Sequence, residues 1–193
     1  MAITAFQSLR NLKHAARGQH MPLPSSEHSE PEWQGIGYQL GGVRLVSAMG
    51  EVREVLQVPR FTALPGVNDW MLGIANVRGR LLPVVDVHRY LGIEATLPQS
   101  QARLLVVEAE GLTAGLMVEA SLGIQHFVLS SFEPPGSEVP VALARIVRGS
   151  YRHGGRVYYE ARLSTLFCEE QFRNVSTNWD ANLRQARRGA MEK

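Results

Sequence analysis

The stretch that decides the fold spans residues 70–87 and reads WMLGIANVRGRLLPVVDV. It consists of one apolar segment, a sharp turn at residues 76–79 and a second apolar segment. Gly79 can adopt a positive φ without steric cost, and Asn76 tolerates turn conformations better than most residues do. Residues 81–87 are too few for a typical helix and rich in branched side chains, so they predict a buried strand. The pattern indicates a hairpin that displays Arg78 at its tip.

Three other residues of this stretch are predicted to have structural roles. Gly73 is expected to shape the hairpin together with Asn76 and Gly79. Pro83 cannot donate a ladder hydrogen bond, which predicts a position at a strand edge or a bulge. Asp86 follows the buried strand and is expected to accept hydrogen bonds from a turn or to pair with an arginine such as Arg89.

The same stretch resembles the signature of CheW-like domains. The matching segments are LGIANVRG at residues 72–79 and LPVVDV at residues 82–87. The predicted half-exposed strand at residues 51–59 is similar to another family segment, with matches at Val52, Glu54, Val55 and Leu56. In the second half, Glu119 stands where the family usually has Asp. The segment YYEARL at residues 158–163 replaces the usual closing apolar string, and its charges would be costly if they were buried unpaired.

Short apolar runs separated by glycine and proline predict small β-barrels. The resemblance covers residues 34–170 and implies a mainly β fold of two five-stranded SH3-like barrels side by side, with a groove between them. Its lobes are expected at about 34–100 and 101–170. Residues 1–33 predict a flexible extension, with a small docking helix as the alternative, and residues 171–193 predict a C-terminal helix and tail.

Composition excludes several classes of protein. The chain has 193 residues, 45% hydrophobic content and a net charge of +2, so no large single-sign field is expected. A single cysteine, Cys168, excludes an internal disulfide, indicates a reducing compartment and is predicted to be buried. No stretch approaches the roughly 20 apolar residues of a membrane span, and the N-terminus lacks the apolar core of a secretion signal. A cytoplasmic protein without direct membrane insertion is expected.

The sequence predicts no catalytic residue, metal or cofactor. None of the six histidines is in a zinc-type pair, the cysteine has no partner cysteine, and no phosphate-binding loop is present. Residues 35–46 are rich in glycine, but the glycines lead into another β-type run rather than a helix, which argues against dinucleotide binding.

The family resemblance implies a non-catalytic adaptor. Such adaptors couple the cytoplasmic hairpin tip of a chemoreceptor to the regulatory domain of a CheA-type histidine kinase, next to membrane-bound receptor arrays. The extension and the unusual second-lobe ending are similar to family variants of type IV pilus systems, which serve twitching motility. The candidate partner-binding residues are Arg78, Glu54, Val52, Val77, Val118 and Ile124.

Alternatives remain open for individual residues and for the function. The family resemblance places Glu54 near the turn arginine, so Glu54 is expected to pair with Arg78 until a partner competes. The alternative is that Glu54 is a solvated strand charge. Core packing is the alternative for Val118 and Ile124. The chain as a whole is alternatively a nucleic-acid-binding small barrel, although its middle strands are not basic. An enzyme that uses Asp86 and Arg78 is a weaker alternative, because a third residue and a cofactor motif are missing.

Overall fold

The computed structural model describes residues 31–173 of the chain. The predicted extension, apart from residues 31–33, and the predicted helix beyond Arg173 lie outside the described residues. Residues 170–173 are helical up to this limit.

Twelve β-strands account for most of the described residues, which confirms the predicted mainly β fold. They are β1 (Glu32–Leu40), β2 (Val43–Ala48), β3 (Val52–Gln57), β4 (Phe61–Thr62), β5 (Met71–Val77), β6 (Arg80–Asp86), β7 (Arg103–Ala109), β8 (Leu112–Val118), β9 (Ala120–Val128), β10 (Phe132–Glu133), β11 (Val147–His153) and β12 (Arg156–Ala161). Two short α-helices, α1 (Val87–Leu91) and α2 (Ser164–Cys168), follow β6 and β12. Within the described part of the chain, no helix is long and apolar enough to cross a membrane.

The strands form two six-stranded sheets. Sheet I has the order β10-β11-β12-β2-β1-β9, and sheet II has the order β3-β7-β8-β6-β5-β4. The family resemblance implied five strands in each lobe. The additional strand in each sheet is a two-residue edge strand, β10 in sheet I and β4 in sheet II, and segments this short leave no periodic pattern in the sequence.

The sheets divide the chain differently from the lobes predicted at 34–100 and 101–170. Sheet II contains the middle of the chain, β3 to β8, whereas sheet I combines strands from both ends. Two long-range pairings cause this arrangement: β1 runs antiparallel to β9, and β12 runs parallel to β2. The chain passes from sheet II to sheet I at Glu119, between β8 and β9.

The turn predicted at residues 76–79 is present, and it is one of four tight hairpin turns among the described residues. The central residues are 41–42, 78–79, 110–111 and 154–155, and φ is positive at both positions of each turn. Positive φ at both positions is the requirement of the type I′ turn, whose twist matches that of the flanking strands. Glycine occupies six of these eight positions, and the exceptions are Arg78 and Glu110.

Three apolar clusters hold the sheets together. The largest cluster combines residues of both sheets, including Tyr38 and Leu45 of sheet I with Leu105 and Leu116 of sheet II. The second cluster belongs to sheet II alone and the third to sheet I alone. Because successive side chains of a strand point to opposite faces, each sheet contributes one face to the shared cluster and the other face to its own cluster.

A buried hydrogen-bond network links three strands of sheet I. The Tyr38 hydroxyl lies 3.0 Å from Ser47 Oγ, which donates a hydrogen bond of 2.7 Å to the carbonyl of Ala161. Tyr38 and Ser47 are both fully buried. These hydrogen bonds join β1, β2 and the end of β12. The bond from the Ser47 side chain to the Ala161 carbonyl therefore supports the parallel pairing of β2 and β12.

The region after β12 departs from two expectations. Arg162 is exposed and Glu160 is only partly buried, so the expected cost of burying their charges does not arise. The prediction that Cys168 is buried is wrong. Leu166 and Phe167 take the buried side of α2, which leaves Cys168 on the exposed side.

Candidate functional site

The tip of the β5–β6 hairpin displays Arg78. This residue has a φ of 51°, an unusual conformation for a residue other than glycine, and the next residue, Gly79, has a φ of 81°. The side chain of Asn76 stabilises the turn by accepting a hydrogen bond of 2.9 Å from the Gly79 amide. The Arg78 side chain is 77% exposed at this turn.

Arg78 forms an ion pair with Glu54. The distance from Arg78 Nη2 to Glu54 Oε1 is 2.5 Å, and Glu54 lies on β3 at the edge of sheet II. A second ion pair follows on the same side, with 2.9 Å between Arg53 Nε and Glu108 Oε2. The pairing expected between Glu54 and Arg78 is therefore present in the free chain.

The two ion pairs border a cavity of about 460 Å³. Its floor is apolar, because Leu82 and Val106 belong to the second cluster and Val77 packs against that cluster. The whole lining comprises Arg53, Glu54, Val77, Arg78, Arg80, Leu81, Leu82, Val106, Glu108 and Thr113. An apolar floor under a charged rim is suited to holding a side chain of another protein.

Sequence reasoning identified only part of this lining. It named Glu54, Val77 and Arg78 but missed Arg53, Arg80 and Glu108, among others. The local signal for these residues is weak, because charged side chains at strand ends are usually solvated. Their common location depends on the register of β3, β6 and β7.

Two predicted partner-binding residues are not available at the surface. Val52 and Val118 are 5% and 1% exposed, and both belong to the cluster shared by the two sheets. The expectation that they line an open groove is wrong. Both residues belong to sheet II, and sheet I covers the face of sheet II on which they lie. For Val118 the alternative of core packing applies.

Ile124 lies apart from this cavity. It belongs to β9 of sheet I, opposite Ile36 of β1, and it is 52% exposed. β9 is an edge strand of its sheet. Ile124 is therefore accessible to a partner, but it is not among the residues that surround Arg78.

The residues assigned to structural roles occupy constrained positions. Gly73 has a φ of 144°, and a Cβ atom there would lie 2.1 Å from the carbonyl oxygen of Thr62. Pro83 lies inside β6, an inner strand, and pairs in regular register with Ile74, rather than at the predicted strand edge or bulge. The parallel pairing of β6 with β8 begins only at Val84. At Pro83, β6 is therefore paired with β5 and not with β8.

Asp86 caps α1. Its Oδ1 accepts hydrogen bonds from the amides of His88 and Arg89, and its Oδ2 lies 3.4 Å from Arg89 Nε. Burial raises the pKa of Asp86. The hydrogen bond from the His88 side chain, the hydrogen bond from the Arg89 amide and the neighbouring charges of His88 and Arg89 outweigh burial, so that the pKa lies below its ordinary value. Asp86 is thus held as an ionised capping residue.

A second polar cluster, which the sequence did not predict, surrounds Glu119. Its carboxylate accepts hydrogen bonds from the amides of Gly42 and Thr96 and from the Thr96 hydroxyl. His88 Nε2 lies 3.2 Å from Glu119 Oε1, which makes an ion pair whenever the imidazole is protonated. Burial raises the pKa of Glu119, but the bonds from Thr96 and Gly42 and the nearby His88 outweigh it and lower the pKa overall.

This cluster joins the two sheets. Gly42 belongs to the β1–β2 turn of sheet I, whereas His88 belongs to α1, which continues sheet II. Among residues 31–173, no group of three or more His, Cys, Asp or Glu side chains has the arrangement of a metal site.

Comparisons with known proteins agree with the fold. The family model of CheW-like domains matches residues 34–170. The chain is 41% identical over 148 residues to Protein PilI of Pseudomonas aeruginosa, an alignment that covers 77% of this chain and 83% of that protein. It is 28% identical over 107 residues to Protein FrzA of Myxococcus xanthus, which covers 55% of this chain and 67% of that protein.

A solved structure supports the same assignment. The fold is similar to the crystal structure of the scaffolding protein TtCheW from Thermoanaerobacter tengcongensis, with a TM-score of 0.64 and 25% identity. The similarity covers 73% of this chain and 96% of that one. The range matched by the family model contains both ion pairs and the whole cavity. The chain belongs to the CheW-like family.

Proposed function

We propose that the chain is an adaptor that couples a chemoreceptor to a CheA-type histidine kinase in the signalling system that controls type IV pilus twitching. As a CheW-like protein it belongs to a family of non-catalytic scaffolds. The similarity to PilI supports the pilus system as the setting. The observation that carries the proposal is the exposed Arg78–Glu54 pair at the rim of an apolar cavity.

The Arg78–Glu54 pair suits an exchangeable contact. Ion pairs between exposed side chains contribute only about 0.2–1 kcal/mol, so a partner can replace one at small cost. A guanidinium can bind a carboxylate or carbonyl groups through two parallel hydrogen bonds, which fixes orientation as well as affinity. The kinase regulatory domain is the proposed partner at this rim.

Ile124 is the proposed contact for the receptor. A receptor hairpin tip is helical and presents an apolar stripe, which an exposed branched side chain can pack against. Ile124 lies in sheet I, whereas Arg78 lies in sheet II. Two partners that use different sheets can be bound at the same time, which is what coupling requires. Signal transfer then needs an interface whose strength differs between the signalling states of the receptor.

The test is calorimetry of the full chain with the kinase regulatory domain and, separately, with a receptor hairpin from the same genome. We expect saturable one-to-one binding to each. Arg78→Ala should weaken binding to the kinase domain by about tenfold and leave receptor binding unchanged, while Ile124→Ser should do the opposite. Absence of binding to both proteins would refute the adaptor function.

A charge swap tests the competition between Glu54 and the partner. The variants Glu54→Arg and Arg78→Glu each bring like charges together at the rim, whereas the double variant restores an opposite-charge pair. We expect the double variant to recover part of any kinase binding that the single variants lose. Failure to recover any binding would contradict the role of the pair.

A further inference from the structure

Arg80 is the cation of the cavity rim that has no carboxylate partner within the described part of the chain. It is exposed and is the first residue of β6, directly after the turn. The other two arginines of the lining are already paired, Arg53 with Glu108 and Arg78 with Glu54. With three arginines and two glutamates, the lining carries one excess positive charge.

Arg80 lies beside the apolar floor. Arg80 and Leu82 are two positions apart on β6, so their side chains leave the same face of the strand. Leu82 is 4% exposed and belongs to the second apolar cluster. On the opposite side of the cavity, Glu54 pairs in register with Val106 of the same cluster. The described lining residues therefore combine one excess positive charge with an adjoining apolar surface.

We propose that Arg80 binds a carboxylate of the partner protein and that the apolar floor receives the aliphatic side chain next to that carboxylate. Arg80, rather than Arg78, is then the residue that selects the charge of the partner. The identity of the partner, a kinase regulatory domain, rests on the proposed function. The chemistry of the contact, an acidic side chain beside an aliphatic one, rests on the cavity alone.

Charge and geometry both favour this division of roles. A carboxylate that meets Arg80 does not have to break either existing ion pair, whereas one that meets Arg78 has to displace Glu54. A guanidinium holds a carboxylate through two hydrogen bonds, and the excess positive charge repels segments rich in Lys or Arg. Arg80 therefore makes the first contact, and exchange at Arg78 follows it.

Charge variants in the full chain test the contact with the kinase domain. Arg80→Glu should raise the Kd by about tenfold and Arg80→Gln by about threefold, and both should reduce its salt dependence. Arg156 provides a matched control, because it is also exposed and is also the first residue after a two-residue hairpin turn, in sheet I. Arg156→Glu should change the Kd by less than about twofold. An Arg80→Glu variant that binds like the unmodified chain overturns the proposal.

A small probe separates this proposal from the proposed function. The peptides acetyl-Leu-Glu-Leu-amide and acetyl-Leu-Gln-Leu-amide are titrated into the full chain, and the side-chain Nε–Hε signals of the arginines are followed by NMR. We expect the Glu peptide, but not the Gln peptide, to shift the signal of Arg80, which is assigned from its loss in Arg80→Lys. A shift at Arg80 without any kinase binding would refute the proposed function and leave the inference intact. No shift at Arg80, or a shift at Arg53 alone, overturns the inference.

Discussion

The guanidinium of Arg78 bonds to the carboxylate of Glu54 at 2.5 Å, although 24 positions separate the two residues in the chain. Arg78 lies between β5 and β6, and Glu54 lies on the edge strand β3, with β7 and β8 between β3 and β6 in the sheet. The pair therefore joins parts of sheet II that are not neighbours in its strand order. Its presence depends on the order of the strands in sheet II as much as on the turn that displays Arg78.

Replacing Arg78 by Asn should separate folding from binding. Asn tolerates a positive φ, so Arg78→Asn should keep the free energy of unfolding within about 1 kcal/mol of the unmodified chain. Arg78→Val should lower it by about 1–2 kcal/mol, because a β-branched side chain is strained at a φ of 51°. Both variants should weaken kinase binding by about tenfold. Urea denaturation and calorimetry measure the two effects, and equal stability of the Asn and Val variants would contradict the argument.

Gly73→Ala should destabilise the fold strongly. The added Cβ would lie 2.1 Å from the Thr62 carbonyl oxygen, and a φ of 144° is strained for any residue with a Cβ. We expect a loss of more than about 2 kcal/mol in the free energy of unfolding. Gly50→Ala is the control, since a Cβ there meets nothing within 4 Å, and its effect should stay within about 0.5 kcal/mol. Chemical denaturation compares the two, and similar losses would argue against close packing at β4–β5.

The carboxylates of Asp86 and Glu119 should make stability depend on acidic pH. Both have pKa values below the ordinary range in the folded chain. A group with a depressed folded pKa stabilises the fold above its unfolded pKa, and this contribution is lost as the pH falls through the folded value. The free energy of unfolding should therefore decline below about pH 4.

Two variants and a control check this pH dependence by urea denaturation from pH 7 to pH 3. Asp86→Asn and Glu119→Gln should each be less stable at pH 7 and should each show a shallower decline in acid. Glu138→Gln removes an exposed carboxylate and should leave the profile unchanged. A decline in Glu119→Gln as steep as in the unmodified chain would show that Glu119 does not contribute.

The buried hydrogen-bond network of Tyr38, Ser47 and the Ala161 carbonyl should act as a unit. Tyr38→Phe removes the donor to Ser47 and should cost about 1 kcal/mol, whereas Ser47→Ala also leaves the Ala161 carbonyl without its partner and should cost about 1–3 kcal/mol. In the double variant the loss should be smaller than the sum of the two, because the residues share one network. A strictly additive double variant would indicate that the two hydroxyls are independent.

The hairpin tip is the part of the site that local sequence predicts best. Asn76 and Gly79 specify a turn through their own backbone preferences and one hydrogen bond across three positions, and Arg78 follows as the displayed residue. The other three tight turns are predictable for the same reason. Pro83 shows the limit of such rules, because whether a strand is at an edge depends on which strands join it later.

Burial of the candidate residues was predicted less well. Val52 and Ile124 are both apolar residues on strands, yet Val52 is 5% exposed and Ile124 is 52% exposed. Alternation identifies two faces of a strand, but it does not say which face a second sheet will cover. That outcome depends on the β1–β9 and β2–β12 pairings, which join residues far apart in the chain.

By itself the sequence determined the mainly β class, the tight turns, the CheW-like motif and the display of Arg78. Each of these follows from backbone preferences or patterns that act over a few neighbouring residues. Only the tertiary structure decided that Arg78 meets Glu54, that Arg80 stays without a carboxylate partner among the described residues, and that Glu119 joins the two sheets. These contacts depend on strand order and register, which are set by the free energy of burying a shared core across distant segments.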